Sequence, residues 1–346
     1  MINNKYKNFL YRGGENLQKG FLKKFYGFIA ISIILSIFYL WLNKGGELYR
    51  GSNPLETRLL NDSKNMGKDI LRYPNPYKAL IGQNIMGNFK KSFMKSGIIT
   101  QVPWEGDIEF RKSQSESNTP ILMLAFRTIL PNPAIGEEFN VHLAANILKG
   151  TIVQSGEIFS QNKTVGPYTE SRGFKKGLSY AGSNLTITEG GGVCKIASTL
   201  YNLAILCNLE VVERFNHSMP VAYLPYGQDA TVVYGSKDIK FKNTTEFPIL
   251  IWAQGIGNEL YMAFYGSEKP PRVEWHHKII ERYPAPIIYK HNSKLDGGSK
   301  NILVEGMDGA LVQSWVTIDQ GDGEVEIKEL GRAYYYPMVH LIGKGD

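Results

Sequence analysis

The apolar positions that follow residue 194 recur at the three- and four-residue steps of an α-helix. The repeat consists of Ile196, Leu200, Leu203 and Cys207. Three consecutive glycines, residues 190–192, end just before this repeat. Cys194 is therefore predicted to lie in the first turn of a helix.

Elsewhere the chain carries short apolar runs bounded by glycine, proline and asparagine, a pattern that is typical of strands. A second helix is predicted at Glu138–Lys149, where the apolar residues again share one face. The predicted strands and extended segments are Ile121–Leu130, a strand–turn–strand unit at Thr151–Ser160, Leu185–Thr188, Leu209–Ser218, a mixture of turns and strands over 220–233, Lys240–Asn243, Phe247–Gln254, Leu260–Gly266, Ile302–Glu305, Ala310–Ile318 and Glu324–Leu330. We therefore expect an α+β fold of mixed helix and antiparallel sheet, with a β-rich C-terminal tail and one N-terminal transmembrane helix before it.

The predicted transmembrane helix covers residues 25–42, which are eighteen mostly apolar residues without a charge. No small-residue cleavage site follows, which favours an uncleaved anchor over a signal peptide; a buried core helix is the alternative. Six Lys/Arg residues precede the run, and three follow it closely. This imbalance favours a single-pass protein of the cell membrane, with its N-terminus inside and its main domain outside.

Breaks in the pattern divide the chain into five regions. They are a cytoplasmic basic segment (1–24), a membrane anchor (25–42), a juxtamembrane tether (43–118) with a short helix expected around Asn84–Lys95, a main domain (119–266) and the β-rich C-terminal region (267–346). The last region offers no residue set that connects to chemistry, and its run Tyr334–Tyr336 is interpreted as sheet surface.

Charge changes this picture only at the N-terminus. The net charge is +7, but residues 1–44 alone carry seven basic residues and one acidic residue, which leaves +1 for the remaining chain. The nearly neutral remainder of the chain lacks the basic surface that binding of nucleic acid needs. The basic excess of residues 1–44 therefore indicates a membrane partner.

The glycines and the helix start give Cys194 the surroundings of a reactive thiol. Helix N-termini carry partial positive charge and unpaired N–H groups, both of which stabilise a thiolate. Backbone N–H groups of Gly191, Gly192 and Val193 are candidates for holding an oxyanion. The alternative is a glycine loop that caps a helix whose cysteine is simply buried.

Among six histidines, His217 is the best candidate base, because it lies in a polar turn close in sequence to the helix. An imidazolium there lowers the pKa of a neighbouring thiol. Asp229, Asn216 and Ser218 are each able to orient the ring, and the sequence does not choose among them. The alternative is a histidine with a purely structural role in the turn.

The sequence gives little support for a metal site, a nucleotide-binding loop or a disulfide. No zinc-type spacing of cysteine and histidine is present, the glycine run lacks the Gly-Lys-Ser/Thr of a nucleotide loop, and neither a metal nor a cofactor is predicted. Cys194 and Cys207 would lie about 20 Å apart along one helix, too far for a disulfide, so Cys194 is predicted to be a free thiol.

Several ordered motifs carry a resemblance to a known family. They are Gly156-Glu-x-Phe-Ser160, Val165-Gly-Pro-x-Thr169, Gly190-Gly-Gly-Val-Cys194, Ser198-Thr-Leu-Tyr-Asn202, Glu213-Arg-x-Asn-His-Ser218, Gly227-x-Asp-Ala-Thr231 and Lys242-Asn-x-Thr245 with Phe247-Pro-Ile249. Together they resemble the VanW domain family over roughly residues 137–266. The resemblance implies a VanW-type domain at the surface of a Gram-positive cell.

Some members of that family are L,D-transpeptidases, so the resemblance implies a cysteine-dependent acyl transferase of peptidoglycan. Cys194 would be its nucleophile, His217 its base and Asp229 a further catalytic residue. Lys195, Tyr201 and Ser218 join the glycine-loop residues as candidate substrate contacts. The expected partners are peptidoglycan stem peptides and the membrane, and no protein partner is indicated.

The chain departs from the family pattern at two places. Lys195 stands where glutamine is usual, and it is able to support a thiolate or bind a carboxylate. Phe139-Asn140 replaces the usual His-Asn. The alternative function is a non-catalytic, membrane-anchored module that binds peptidoglycan or its precursors, with a link to vancomycin resistance.

Overall fold

The structure is a computed structural model that describes residues 96–131, 133, 135–181, 184–321 and 323–345. Within these residues the helices are α1 (Ile108–Glu116), α2 (Ile135–Leu148), α3 (Gln161–Thr164) and α4 (Cys194–Leu206), with a short 3-10 helix at Glu170–Arg172. The strands are β1 (Gly97–Ile99), β2 (Ile121–Ile129), β3 (Thr151–Val153), β4 (Ile158–Ser160), β5 (Lys176–Ala181), β6 (Asn184–Glu189), β7 (Glu210–Glu213), β8 (Lys240–Lys242), β9 (Ile249–Ile256), β10 (Glu259–Gly266), β11 (Arg272–Tyr283), β12 (Ile287–His291), β13 (Lys300–Val304), β14 (Gly309–Asp319), β15 (Val325–Tyr335) and β16 (His340–Lys344). The predicted mixture of helix and antiparallel sheet is confirmed.

The main sheet is antiparallel and has the strand order β1-β2-β10-β9-β3. Its strand β9 is buried on both faces. Ile249, Ile251 and Ala253 join the core beneath α2 and α4, whereas Leu250 and Trp252 face a second cluster. Because both faces are covered, this strand is a continuous apolar run rather than an alternating one.

The second cluster lies on the opposite face of the main sheet from α4. Trp104 and Phe110 pack there against Trp252 and Tyr265, and the Trp104 Nε1–H donates to the Tyr265 hydroxyl over 2.8 Å. The residues between Gly97 and Glu116, which the sequence placed in a tether, therefore supply β1, α1 and part of this cluster.

Helix α4 is the central element of the fold. All twelve residues from Lys195 to Leu206 are buried. The Thr199 hydroxyl shares a 2.8 Å hydrogen bond with the hydroxyl of Thr128 on β2, which fixes the helix on the sheet. The helix begins at Cys194, as its sequence pattern predicts.

Around α4 lie two smaller antiparallel arrangements. Strands β4, β8 and β7 form one three-stranded sheet, and β5 pairs with β6 in a hairpin that leads to the glycine turn. Between β7 and β8 the described chain is irregular apart from an isolated bridge between Val233 and Lys237, so the strand expected near residue 230 does not form.

The C-terminal region contains two further sheets. One has the antiparallel order β11-β14-β15; in the other, β16 pairs with β12 in parallel and with β13 in antiparallel fashion. The first of these packs on α4. Trp275 of β11 meets the ring of Tyr201 edge-on at 5.4 Å, and Val316 of β14 enters the main core.

The predicted membrane anchor, residues 25–42, and the short helix near Asn84–Lys95 lie outside the described residues. Among the described helices, none has both the length and the apolar content that a membrane crossing needs.

Candidate active site

Cys194 stands at the junction of the glycine turn and α4. Gly190 and Gly192 adopt φ values of +70° and +106°, and a Cβ on either would lie less than 3 Å from Tyr168 or Glu137. Both positions therefore require glycine for conformation and for space. The thiol is free and partly exposed, whereas Cys207 is buried near the other end of the helix. The predicted free thiol is confirmed.

His217 faces this thiol from the irregular segment after β7. Its imidazole makes a side-chain hydrogen bond with Cys194. Its Nδ1 lies 2.7 Å from Oδ2 of Asp229, and its backbone N–H donates to the same oxygen over 2.7 Å. Because the ionised carboxylate only accepts, Nδ1 carries a proton, which leaves Nε2 for the sulfur.

The structure brings Cys194, His217 and Asp229 together in that order, with Asp229 as the residue that orients the ring. The side-chain amide of Asn216 donates instead to the His217 carbonyl (2.7 Å) and to the Tyr334 carbonyl (3.0 Å). Asn216 thus holds the loop. The Ser218 carbonyl accepts from the Tyr336 N–H over 2.7 Å, so the backbone of Ser218 ties the same loop to the C-terminal region.

Asp229 is 1% exposed and is held by two further side chains. Arg214 approaches its Oδ1 to 3.2 Å and donates through Nε to its carbonyl over 2.8 Å. The Tyr335 hydroxyl donates to the same Oδ1. Tyr201, a candidate substrate contact, lies buried beneath this group, with the Arg214 guanidinium 4.8 Å above its ring.

These contacts shift the pKa values of Cys194, His217 and Asp229 so that the charged form of each is favoured. Burial raises the pKa of Cys194, but the hydrogen bond and charge of His217, with hydrogen bonds from Thr231 and Val232, hold that pKa at about 7. Burial lowers the pKa of His217, but Asp229 and Cys194 raise it to about 9. For Asp229 the opposed effects, burial against His217 and Arg214, leave its pKa at about 2.

Because the pKa of the thiol lies below that of the imidazolium, the thiolate–imidazolium pair is the main form between about pH 7 and pH 9. The sulfur receives two further contacts, at 3.4 Å from the Thr231 hydroxyl and 3.5 Å from the Val232 N–H. Neither Thr231 nor Val232 was predicted from the sequence as a site residue, although Thr231 closes the motif that begins at Gly227.

Some backbone N–H groups of the glycine turn already donate to backbone carbonyls, and others do not. The Gly191 N–H donates to the Thr188 carbonyl and the Val193 N–H to the Gly190 carbonyl, each over 3.2 Å. Among the described residues, the N–H groups of Gly192 and Cys194 make no backbone hydrogen bond of this kind. Gly192 and Cys194 are thus the donors left for an oxyanion at the helix start.

The Lys195 side chain is held by contacts within the chain. Its ammonium pairs with the Glu137 carboxylate in a nearly buried contact and lies 5.1 Å from the Tyr223 ring centre. The ability to bind a carboxylate, expected from the sequence, is therefore used within the chain. Among the described residues no group of three or more His, Cys, Asp or Glu side chains is arranged to hold a metal ion.

The interpretation of Tyr334–Tyr336 as sheet surface is wrong for its middle residue. Tyr335 is 1% exposed and reaches Asp229, while Tyr334 and Tyr336 are exposed. Strand alternation explains the difference, since neighbouring side chains on β15 face opposite sides. No local signal near Tyr335 pointed to Asp229, which lies more than a hundred residues earlier.

Residues 136–265 match the family model described as "VanW like protein". The chain is 36% identical over 129 residues to "Uncharacterized protein YoaR" of Bacillus subtilis (strain 168), covering 37% of this chain and 43% of that protein. It is 32% identical over 137 residues to "Vancomycin B-type resistance protein VanW" of Enterococcus faecalis (strain ATCC 700802 / V583), covering 38% of this chain and 50% of that protein.

The chain thus spans half or less of the length of these curated relatives. A solved structure titled "IgA1 Protease G5 domain structure" aligns with 19% identity and a TM-score of 0.15, covering 23% of this chain and 98% of that one.

Proposed function

Because this chain carries a VanW-like domain at residues 136–265, we propose that it is a cysteine-dependent acyl transferase of the L,D-transpeptidase type, acting on peptidoglycan stem peptides. One observation carries the proposal: a partly exposed thiol at a helix start meets an imidazole that a buried carboxylate orients. A cysteine that only packs in a core has no need of such a partner.

In the first half-reaction the Cys194 thiolate attacks the carbonyl carbon of the donor stem peptide that precedes its terminal D-alanine. A carbon–sulfur bond forms, and the carbonyl oxygen takes the negative charge beside the N–H groups of Gly192 and Cys194. The carbon–nitrogen bond then breaks, and the His217 imidazolium gives its proton to the departing amine. D-alanine leaves, and a thioester remains on Cys194.

In the second half-reaction the side-chain amine of a neighbouring stem peptide attacks the thioester. Neutral His217 takes a proton from the amine, the carbon–sulfur bond breaks, and the thiolate returns. The product is an amide between two third-position residues, which is a 3–3 cross-link. Throughout, Asp229 remains ionised and stabilises the imidazolium.

The proposed location is the outer face of the cell membrane, with residues 25–42 as the anchor. Its support is the eighteen-residue apolar run and the basic residues before it. Assembled peptidoglycan lies on that side of the membrane. The name of the Enterococcus faecalis relative supports a link to glycopeptide resistance as part of the same proposal.

The test is incubation of the purified chain with a disaccharide-tetrapeptide, followed by mass spectrometry of the peptide and of the intact protein. We expect a dimer that has lost one D-alanine, and an acyl adduct on Cys194. The Cys194→Ala variant should give neither product. The Cys207→Ala variant is the matched control and should give both, because Cys207 is buried. Dimer formation by Cys194→Ala would falsify the assignment of the nucleophile.

The second candidate is a non-catalytic module that binds peptidoglycan or its precursors. Its support is the pair of unused N–H groups at the helix start, which suits a bound carboxylate as well as an oxyanion. Binding of the tetrapeptide without any adduct, unchanged by Cys194→Ala, would favour this function over acyl transfer.

A further inference from the structure

We propose that the C-terminal region supplies a positioning residue of the active site: the Tyr335 hydroxyl, acting through Asp229, fixes His217 against Cys194. Its catalytic consequence rests on the proposed function, whereas its effect on the thiol can be measured without a substrate. Tyr335 lies outside the region that matches the family model, which ends at residue 265.

The hydroxyl of Tyr335 sits in a short relay of hydrogen bonds. The backbone N–H of Gly227 donates to it over 2.8 Å, and the hydroxyl in turn donates to Oδ1 of Asp229. Burial and the nearby Asp229 charge raise the pKa of Tyr335 well above its usual value. The hydroxyl therefore keeps its proton at neutral pH and remains a donor.

The two oxygens of Asp229 have separate tasks. Oδ2 accepts hydrogen bonds from the ring nitrogen and the backbone N–H of His217, while Oδ1 accepts from Arg214 and Tyr335. Donors on Oδ1 fix the rotation of the carboxylate and so fix the position of Oδ2. The loss of one donor leaves the carboxylate freer to turn, and the imidazole loses part of its alignment with the sulfur.

The loop that carries His217 and Asp229 is also attached to the C-terminal region at other points. The Tyr226 hydroxyl donates to the Asp308 carbonyl over 2.7 Å, and its ring packs 5.3 Å from that of Tyr335. Gly227 lies against Ser314 of β14, so closely that a Cβ would come within 2.3 Å of the serine hydroxyl oxygen. The site is therefore built from both parts of the chain.

The experiment measures the alkylation rate of Cys194 by iodoacetamide against pH, in the full chain purified in detergent. Tyr335→Phe removes the hydroxyl and keeps the ring. We expect the apparent pKa of the Cys194 thiol to rise by about one unit. The Asp229 carboxylate loses the hydrogen bond from Tyr335, so it holds the imidazolium less well against the thiolate. The control is Tyr334→Phe, the same substitution on the exposed face of the same strand, and it should leave the pKa unchanged.

A purely structural role for Tyr335 predicts a lower melting temperature with an unchanged thiol pKa, and that result would overturn the proposal. The double variant Tyr335→Phe with Asp229→Asn adds a second criterion. If Tyr335 acts through Asp229, its effect on the thiol pKa should vanish once Asp229 has lost its charge. An additive effect would also overturn the proposal.

Should Tyr335→Phe fail to fold, 3-fluorotyrosine at position 335 keeps both ring and hydroxyl while changing the strength of the donor. A changed thiol pKa supports the proposal, and an identical pH profile overturns it. With a tetrapeptide donor, Tyr335→Phe should lower kcat about tenfold at constant KM, because Tyr335 meets no substrate. If the wild-type protein forms no adduct but the thiol pKa still shifts, the transferase function fails while the positioning role stands.

Discussion

At the scale of single residues, the chemistry of the site depends on the balance at Cys194. Burial alone would make this thiol less acidic, and it does so at Cys207, whose pKa is raised by burial with nothing to oppose it. At Cys194 burial is outweighed by the hydrogen bond and charge of His217 together with the hydrogen bonds from Thr231 and Val232. The two cysteines of the chain therefore differ in reactivity because of their neighbours.

This balance predicts the pH dependence of the site. The thiolate forms as pH rises through about 7, and the imidazolium is lost as pH rises through about 9. Acylation needs both, so kcat/KM should rise through the first value, fall through the second and form a plateau between them. Initial rates across a pH series measure this profile.

The variant His217→Ala removes the hydrogen bond and the charge but not the burial. The apparent pKa of Cys194 should then rise to or above the ordinary value of a thiol, about 8.5. Iodoacetamide rates on the Cys207→Ala background measure it. A pKa that stays near 7 in this variant would contradict the imidazole as the cause.

The sequence alone predicted part of this arrangement. Cys194 and His217 follow from a glycine–helix junction and a polar turn, both of which are local patterns. The choice of Asp229 over Asn216 required the structure, because each stands close to His217 along the chain. The contact of Tyr335 with Asp229 depends on the packing of a strand that is distant along the chain, and no local sequence pattern predicts it.

At the scale of elements, the junction between β6 and α4 sets the position of the nucleophile. The hairpin β5–β6 delivers the chain to Gly190, and the turn then passes close to Glu137 of α2. Close approach and positive φ values together exclude side chains from this turn. Among the described residues, the N–H groups of Gly192 and Cys194 at the helix start are left without a backbone hydrogen bond in the turn.

Gly192→Ala tests this junction. The new Cβ would lie 2.8 Å from Cγ of Glu137, at a φ of +106°. We expect the free energy of unfolding to fall by about 1–3 kcal/mol, with a larger relative loss of acyl transfer because the oxyanion donors move.

Gly156→Ala is the matched control, since Gly156 has a φ of +75° but no atom within 4 Å of an added Cβ. It should show only the cost of the backbone conformation and normal chemistry. Urea unfolding and adduct formation measure the two effects. Equal losses in both variants would argue against a role for the close packing.

At the scale of the whole molecule, the fold extends beyond both ends of the family match. Before residue 136 the chain supplies β1, α1 and β2, and after residue 265 it supplies the sheet β11-β14-β15 that reaches the site. The sequence predicted β2 but missed β1 and α1, because α1 is mostly polar and exposed. It missed β12 because every residue of that strand is exposed, so no alternation marks it.

The prediction at this scale concerns α1. Phe110 is 5% exposed and packs on Trp252 and Tyr265, so Phe110→Ala should lower the free energy of unfolding by about 3–5 kcal/mol. Ile108→Ala, on the same helix but 84% exposed, should change it by less than about 0.5 kcal/mol. Thermal or urea unfolding distinguishes them. Equally small losses in the two variants would indicate that α1 does not pack stably on the sheet and acts only as part of a tether.

The complete burial of α4 after its first residue restricts how this site can diversify. A helix enclosed on all sides tolerates few replacements and cannot slide, so the thiol is a fixed point to which any substrate must come. Much of the irregular segment between β7 and β8 is buried as well, but its residues 233–237 are exposed. Attempts to redirect the protein toward other peptides should therefore exchange these exposed residues and leave the helix and the buried part of the segment as they are.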